Sequence, residues 1–505
     1  MRHRVLGLAA LAALAGAATA ADGLRIAAWN ITTYSGGHQP EIATVAYGVF
    51  DGRSMDPDVI LLNEMTSLSA VNSVVQALNN GLGSNDWVAA PFFTGSSGGL
   101  NNALVYRESQ LDLLAATLLW PGTSTEQPRN IVRYDLRLDG YASEEATISF
   151  YPTHMKAGSG SGDIARRLIE SQRIRDDAET LPAGRNFVIG GDTNTQSSAQ
   201  SCYQELVGSQ ANNAGRFFDP IAAPGTWNNS STFRYLHTQD PSGAGGMDDR
   251  HDQLLASASF GDQVGLDYVG LFDTPWNLST WNDPNHSYRC WGNDGTSFNL
   301  SLTTTGNVNV GATIAQAIIT MAGSGGHCPV FFDTVVPARA GATASIDFGT
   351  VNVGDTAQAT LEVYNAGDTA RWGAAGIEDL SYTLIAPVGF TVPGGPFTDA
   401  AGGGVNTHTV TMLTSTPGIY SGTLYVFSND PESPPLAVAL TGEVADSSCP
   451  ADIAPPFGVL DLQDINAFIA GFLGNDPIAD IAEPFGILDL QDVNLFISSF
   501  VAGCP

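Results

Sequence analysis

The hydrophobic pattern of this chain changes twice, and each change marks a region that must fold differently. Residues 22–338 interleave short β-branched runs with helical stretches such as 163–181, an order typical of an α/β or α+β domain. From 343 to 445 only alternating apolar and polar residues remain, between turns rich in Gly, Pro, Asn and Asp, which predicts an all-β sandwich. The segment 449–505 contains an internal repeat, so we expect three units.

The C-terminal repeat contains three aspartates per unit, and each of them recurs 28 positions further along the chain. Apolar residues after each trio, spaced at i, i+3, i+4 and i+7, predict an amphipathic helix. Each unit is therefore predicted to be a carboxylate-bearing loop followed by a helix. The aspartates concerned are Asp452, Asp461, Asp464, Asp480, Asp489 and Asp492.

The charge balance limits the partners that this chain can bind. It has 51 acidic and 20 Lys or Arg residues, a formal net charge of −31, and Lys156 is its only lysine. Such a surface repels polyanions at long range and offers no general basic face for nucleic acid. Any chemistry on nucleic acid must therefore be local and metal-assisted.

The two ends of the chain predict its location and its cross-link. Residues 1–20 combine basic residues, an apolar run and a small-residue cleavage site, which predicts a secretory signal and a secreted or cell-surface protein. The apolar run is shorter than the ~20 residues of a spanning helix, and no later segment is a candidate. Export permits disulfides, and Cys449 with Cys504 is the pair we expect among the five cysteines.

Within residues 22–338, polar side chains interrupt the ends of predicted strands in a particular order. Taken singly, each would be explained by a hydrogen bond to loop backbone. Together they can be presented at one edge of a sheet, where open α/β folds gather ligand sites. The positions are Asn30, Glu64, His154, Asp192 with Asn194, Asp252 and His327.

This ordered set resembles the endonuclease/exonuclease/phosphatase superfamily, over residues 24 to about 332. The resemblance rests on Trp29-Asn30, Asn63-Glu64, the stretch 153–157, Gly191-Asp192-Thr193-Asn194 and the stretch 326–330. It implies an α/β (α+β) four-layer sandwich, in which two packed β-sheets are flanked by helices and the site lies at one end.

The resemblance also implies a role for each residue. Asn30 and Glu64 would bind Mg²⁺ or Mn²⁺, Asp192 would orient the attacking water, and Asn194 would hold the phosphate. His154 and His327 would contact phosphoryl oxygens as imidazolium donors, and Asp252 would orient His327. A hard divalent cation and cationic donors suit the negative charge that grows on a phosphoester during attack.

Other residues near these motifs have weaker assignments. Lys156 lies two residues after His154, and on a strand that spacing directs both side chains to one face, where the lysine would contact substrate. The Gly/Ser run 158–162 is predicted to be a surface loop, because it lacks the spacing of a P-loop. The helix that follows contains four arginines, predicted to form a solvated face: Arg166, Arg167, Arg173 and Arg175.

One position departs from the family pattern. The family usually has Asp immediately before the final His, often as a further metal contact, and here that position is Gly326. The change could weaken metal binding, shift metal preference or mark a degenerate enzyme. Asp294 or Asp248 could substitute in space.

Two further resemblances concern the C-terminal half. Residues 343–445 resemble the immunoglobulin-like choice-of-anchor modules, through short motifs such as 347–349 and 428–431. The repeat at 449–505 resembles a dockerin, which implies Ca²⁺ ligands and a cohesin-like or cell-surface partner. Ala454, Pro456 and their counterparts stand where ligands are expected, so the alternative is that the aspartates only cap helices.

The sequence therefore predicts a secreted, metal-dependent phosphoester hydrolase, foremost a nuclease-type phosphodiesterase acting by in-line attack of water on phosphorus. A phosphatase or a sphingomyelinase-like hydrolase of phospholipid headgroups is the alternative enzyme, since loops choose the substrate of such a site. A catalytically degenerate cell-surface binding protein is the alternative from another class.

Overall fold

The computed structural model describes residues 22–503, apart from 96, 244, 324, 433, 434 and 446–448. The predicted signal at 1–20 and Cys504, the predicted partner of Cys449, lie outside the described residues. No helix in the described part combines the length and apolar character that crossing a membrane requires. The buried apolar side chains form three clusters, one for each region of the sequence pattern.

The first region contains thirteen of the strands that the structure describes and five α-helices. Strands β1 to β13 are Leu24–Tyr34, Val59–Met65, Trp87–Ala89, Asn101–Arg107, Leu111–Trp120, Ile131–Leu138, Thr147–His154, Asn186–Asp192, Phe217–Phe218, Asp252–Ser257, Asp267–Tyr268, Arg289–Cys290 and Val330–Val335. Helices α1 to α5 are Gln39–Tyr47, Leu68–Leu82, Ser161–Ala178, Ser201–Val207 and Gly311–Ala322.

These strands form two sheets that pack face to face. The first has the order β11-β13-β1-β2-β4-β3, with β12 also paired to β13, and the second has the order β5-β6-β7-β8-β10-β9. Strands β1, β2 and β4 contact β7, β8 and β10 across the interface. Helices α1, α2 and α5 lie over the first sheet, while α3 and α4 pack together beside the second. The mixed α/β class predicted for this region is confirmed.

The centre of each sheet is a pair of parallel strands. Strand β1 runs parallel to β2, and β7 runs parallel to β8, whereas the other pairings in these sheets are antiparallel. The carboxyl ends of parallel neighbours meet at one edge of a sheet. The residues that follow β1, β2, β7 and β8 are thereby brought to the same end of the sandwich.

The second region is a smaller sandwich of strands. Its strands β14 to β22 are Ala340–Ala342, Ser345–Asn352, Ala357–Asn365, Leu380–Ile385, Phe390–Thr391, Phe397–Asp399, Asn406–Met412, Gly418–Ser428 and Leu436–Ala445, with a short helix α6 at Thr369–Trp372. They form sheets of order β14-β16-β20-β18 and β15-β22-β21-β17-β19. Strict alternation of buried and exposed residues, as along β17, produces one core face per sheet.

The first two regions share part of their packing. Trp372 is 1% exposed and belongs, with Ile377 and Ala401, to the core of the first region. The carbonyl of Trp372 accepts a 2.7 Å hydrogen bond from Gly23 N, and Arg371 pairs with Asp139. Residues 22–338 therefore lose core contacts if they are cut away from the sandwich.

The third region consists of two loop–helix units. Helices α7 and α8 are Leu462–Gly474 and Leu490–Ala502, and the Phe468 and Phe496 rings stack between them with centroids 4.1 Å apart. The two periodic apolar stripes thus meet in one small core, as the repeat predicts.

Candidate active site

Three of the predicted site residues lie side by side across the second sheet. His154 at the end of β7 is in register with Asp192 at the end of β8, and Asp192 is in register with Asp252 at the start of β10. Neighbouring strands are about 4.8 Å apart, so strand pairing alone fixes this row. All three side chains are nearly inaccessible, with exposures of 3% or less.

Asn30 and Glu64 approach the row from the first sheet. Asn30 Nδ2 lies 3.3 Å from Glu64 Oε1 and 3.2 Å from Asp192 Oδ2, so the amide joins the two sheets. Glu64 has a φ of 63°, and Thr33, whose backbone N–H donates to its carboxylate over 2.7 Å, has a φ of 43°. Left-handed backbone costs a non-glycine residue energy, and such strain often accompanies function. Here the left-handed backbone at Thr33 and Glu64 accompanies a Glu64 carboxylate that lies close to His154 and Asn30.

Two buried amides to which the sequence analysis gave no role support this arrangement. Asn63 Oδ1 accepts the Asp192 backbone N–H at 2.9 Å, and Asn63 Nδ2 donates to Asn102 Oδ1 at 3.0 Å. Gly191, at φ 131°, allows this approach, since a Cβ there would lie 2.5 Å from Asn63 Oδ1. The glycine before Asp192 is therefore required by the close approach of the two sheets.

His327 is brought into the site by the segment that precedes β13. Its Nδ1 donates to Asp252 Oδ2 at 2.5 Å, and its carbonyl accepts a hydrogen bond from Trp29 Nε1. Burial acts to lower the pKa of His327, but the carboxylates of Asp252 and Asp192 outweigh it and raise that pKa to about 9. The ring is therefore an imidazolium at neutral pH, with Nε2 facing Asp192.

His154 is held in the opposite charge state. Burial, together with the adjacent Arg129 and the other site histidines, lowers the pKa of His154 well below its usual value. Arg129 Nη2 lies 3.4 Å from His154 Nε2. The expectation that both histidines are imidazolium donors does not hold for His154 in this structure, because burial and the neighbouring Arg129 cation both disfavour a charged ring.

Arg129 is a site residue that sequence reasoning missed. It is 9% exposed, and it interacts electrostatically with Glu170, Asp192 and Glu64. Glu170 lies at 1% exposure on α3, and burial raises its pKa to about 7. The sequence offers one sign of its role, a charged residue just before the apolar run of β6. Many surface arginines occupy such a position, so the sign is not specific.

One oxygen of Asp192 is the focus of the site. Its Oδ1 accepts the Asn194 backbone N–H at 2.9 Å, which fixes the carboxylate. Its Oδ2 faces Asn30 Nδ2 at 3.2 Å, His154 Nε2 at 3.5 Å and His327 Nε2 at 3.9 Å. Burial raises the pKa of Asp192, and the charge of His327 opposes this rise. The result is a carboxylate with increased basicity next to a cationic donor.

The donor chemistry at Asn30 and Glu64 fits a hard divalent cation. The carboxylates of Glu64 and Asp192 converge there, and oxygen ligands are preferred by Mg²⁺. Asn30 presents its Nδ2 to both carboxylates while its Oδ1 accepts the Thr32 N–H, so it would bind a cation through Oδ1 after its amide rotates. In the described part of the chain, no three His, Cys, Asp or Glu side chains are arranged to hold a metal ion. The protein ligands would be the two that the sequence predicts, Asn30 and Glu64. Water and substrate oxygens would complete the shell, as is usual for Mg²⁺.

Gly326 lies where no side chain can be accommodated. A Cβ at this position would lie 2.0 Å from Thr32 Oγ1 and 2.5 Å from Ala322 Cα. Of the two expected substitutes, Asp294 uses its carboxylate to bind backbone N–H groups of its own loop and Val308. Asp248 lies in an acidic group with Asp249 and Asp240, and burial and these charges raise its pKa to about 6.

The basic residues near the motifs are placed differently from the prediction. Lys156 lies beyond the last residue of β7, and its ammonium pairs with Asp163 Oδ1 at 2.9 Å. It is therefore held at the start of α3 and does not share a strand face with His154. Arg167 and Arg175 are buried at 0% and 1% exposure and donate to backbone carbonyls, Arg167 to that of Lys156 and Arg175 to that of Glu205 in α4. The prediction of a solvated arginine face is therefore wrong for these two residues.

In the C-terminal units, the aspartates bind backbone. Asp461 and Asp489 form capping boxes at the first turns of α7 and α8, with Asp464 and Asp492 as the reciprocal partners. Asp464 Oδ1 also accepts the N–H groups of Ile453 and Ala454, each at 2.9 Å. Asp452 and Asp480 accept the N–H groups of Gly458 and Gly486. Asp461, Asp464, Asp489 and Asp492 therefore cap helices, whereas Asp452 and Asp480 bind loop backbone.

Comparison with known proteins gives structural neighbours alone. No protein-family model and no curated protein matches the chain. Similar solved structures include a beta toxin of Staphylococcus aureus (14% identity, 61% of this chain and 99% of that chain, TM-score 0.35). Others are an endonuclease/exonuclease/phosphatase of Bacteroides vulgatus (11%, 62% and 98%, 0.37) and a mannosyl-6-phosphatase of Bacteroides thetaiotaomicron (12%, 62% and 100%, 0.36). At these identities the comparison concerns the fold alone.

Proposed function

We propose that residues 22–338 form a secreted, metal-dependent phosphoester hydrolase of the endonuclease/exonuclease/phosphatase type, foremost a nuclease-type phosphodiesterase. The observation that carries this proposal is the convergence on Asp192 Oδ2 of an amide, a neutral histidine and an imidazolium. A buried carboxylate beside a cationic donor is suited to activate water next to a group that gains negative charge.

Each side chain has one part in the mechanism. Asp192 Oδ2 accepts a proton from the attacking water, while its Oδ1 is held by the Asn194 N–H. His327 donates from Nε2 to a phosphoryl oxygen, because Asp252 occupies its Nδ1. Arg129 provides a second positive charge on the side of His154. A divalent cation held by Asn30 and Glu64 would supply Lewis-acid neutralisation of the phosphate charge.

A small phosphoester is the second candidate substrate, and specific observations favour it. The net charge of −31 opposes a long polyanion, and the only lysine is paired with Asp163. The site side chains Asn30, His154, Asp192, Asp252 and His327 are almost fully buried, so little charged surface is presented to a long substrate. A phosphomonoester or a phospholipid headgroup needs no extended basic track, whereas duplex DNA gains much of its affinity from one.

The C-terminal units are proposed to attach the enzyme to a partner. Several apolar side chains of α7 and α8 face outward, among them Leu473 at 80% and Val501 at 79% exposure. Exposed apolar surface of this kind favours association with another protein. A cohesin-like or cell-surface protein is the partner we propose, and calcium binding by the aspartates belongs to the same proposal.

The test uses the chain from residue 22 to its C-terminus, because Trp372 belongs to the first core. It is incubated with plasmid DNA, RNA and bis(4-nitrophenyl) phosphate, with Mg²⁺, Mn²⁺, Ca²⁺ or chelator. Asp192→Asn is the test variant, and Asp112→Asn, at an exposed position on β5, is the matched control. Metal-dependent cleavage that is lost only in Asp192→Asn supports the hydrolase.

The substrate panel separates the alternatives. Cleavage of the small diester with intact plasmid and RNA favours a headgroup hydrolase. The monoester 4-nitrophenyl phosphate is added to the panel, and its cleavage alone favours a phosphatase. If folded protein cleaves none of the substrates, the hydrolase proposal fails and the degenerate binding protein takes its place.

A further inference from the structure

Two buried cysteines lie close to each other and beside His327. Cys290 on β12 is in register with Val330, the first residue of β13. Trp291 N donates to Pro329 O at 2.8 Å, so the backbone pairing continues past the end of β13 and brings Cys328 next to β12. Their exposures are 4% and 0%.

The two thiols contact each other and little else that is polar. The Cys328 thiol is in hydrogen-bond contact with Cys290, whose own Sγ donates to His237 O at 3.0 Å. Gly292 lies against the sulfur of Cys328, since a Cβ at Gly292 would be 3.4 Å from Cys328 Sγ. Each thiol is thus the nearest reactive group to the other.

The backbone around Cys328 is the backbone that places His327. Cys328 N donates to Thr238 O at 2.8 Å, and the His327 carbonyl is held by Trp29 Nε1 at 3.1 Å. A covalent link at Cys328 would therefore join β12 to the residue that follows the imidazolium.

We propose that Cys290 and Cys328 form a disulfide when the chain folds under oxidising conditions, and that this bond stabilises the segment carrying His327. In the structure both thiols are free, which is the reduced form. This inference concerns the thiols alone and holds whatever the substrate of the site.

The oxidation balances with a small disulfide such as oxidised glutathione. A thiolate of Cys290 attacks one glutathione sulfur and releases the first glutathione thiol, leaving a mixed disulfide. Cys328 then attacks the Cys290 sulfur, and the second glutathione thiol leaves. Burial and the contact with Cys290 raise the pKa of the Cys328 thiol, so the folded pair is unreactive. The bond must therefore form during folding.

The sequence allows a direct test by mass. The chain has no lysine after Lys156, and Arg289 and Arg339 flank both cysteines, so trypsin releases a single peptide 290–339 that contains only these two. The full chain is refolded with mixed oxidised and reduced glutathione. The folded fraction is then denatured in the presence of a maleimide, which labels free thiols, before digestion. A parallel sample is reduced first.

The proposal expects peptide 290–339 to bear no label after oxidative folding and two labels after reduction. Cleavage at Asp294 should then give fragments that remain joined until reductant is added. Cys290→Ser should bear one label under oxidising conditions, whereas Cys202→Ser should leave the linkage unchanged. Two labels on the oxidised peptide, or a cross-link from it to Cys202, would overturn the proposal.

Stability provides a second measurement. Reductant should lower the thermal midpoint of the oxidised wild type by more than that of Cys290→Ser, which keeps only the predicted Cys449–Cys504 bond. An equal response of both proteins to reductant would show that any stabilising bond lies elsewhere in the chain.

Discussion

His327 Nδ1 lies 2.5 Å from Asp252 Oδ2, and both side chains are buried at 2% exposure or less. A buried carboxylate that accepts from one ring nitrogen fixes the tautomer and stabilises the charged ring. The other nitrogen is thereby directed at the Asp192 carboxylate. The charge of the site thus depends on a residue that does not itself face the substrate.

Asp252→Asn is expected to lower kcat by about 10²–10⁴-fold, the range for loss of a positioned acid–base group. The amide keeps the shape of the side chain but cannot stabilise the imidazolium. Steady-state kinetics on the ester that the wild type cleaves would measure this, with circular dichroism to show that the variant is folded. A kcat within threefold of wild type would contradict the role of Asp252.

The pH dependence follows from the same pair. The donor must be protonated, and the pKa of His327 is raised to about 9, so activity that depends on it persists through neutral pH and falls as pH rises through about 9. The alkaline limb of kcat/KM should report this group. In Asp252→Asn the limb should move to lower pH, because the carboxylate that raises the pKa is absent. An alkaline limb that stays in place in Asp252→Asn would assign it to another group.

The row of His154, Asp192 and Asp252 could be predicted from the sequence because strand ends are visible in it. Each residue ends or begins a strongly apolar run. The parallel register of β7 and β8 places His154 beside Asp192, and the antiparallel register of β8 and β10 places the start of β10, Asp252, beside the end of β8. The same reasoning failed for Lys156, since β7 ends at His154 and alternation of faces has no meaning beyond the end of a strand.

The features of the site that could not be predicted from the sequence depend on long-range packing. Arg129 reaches His154 from the start of β6, a contact that depends on how β5, β6 and β7 pair. Arg167 is buried because carbonyls of the 156–158 turn need donors, and no periodicity records that need. The closeness of Thr32 to Gly326 likewise exists only after the sandwich has closed.

Gly326→Asp is expected to destabilise the protein by about 1–3 kcal/mol, the usual cost of overpacking, and not to restore a metal contact. A Cβ at this position would overlap Thr32 Oγ1 and Ala322. Gly325→Asp is the matched control, because no described atom lies within 4 Å of a Cβ there. Thermal unfolding of both variants measures the difference, and equal midpoints would refute the steric account.

Arg129→Lys should reduce kcat by about 10²-fold, as expected when one fixed donor to the transition state is lost. Lysine keeps the charge but cannot hold the planar fork beside His154. Arg137→Lys, on the strand β6 that begins two residues after Arg129, is the matched control and should behave as wild type. If Arg129→Lys retains wild-type kcat and changes only KM, the arginine assists binding and not the chemical step.

Asp464→Ala and Asp492→Ala test whether the C-terminal aspartates act as caps. Asp464 accepts the N–H groups of Ile453, Ala454 and Asp461, and Asp492 repeats this pattern in the second unit. Losing a cap costs about 0.5–2 kcal/mol, so each variant should show faster hydrogen exchange in its own helix even in chelator. Asp476→Ala, which removes the cap of a short turn between the units, provides the comparison.

Variants that match wild type in chelator and differ only in millimolar Ca²⁺ would instead identify the aspartates as calcium ligands. A ligand that binds only the folded state stabilises that state by mass action.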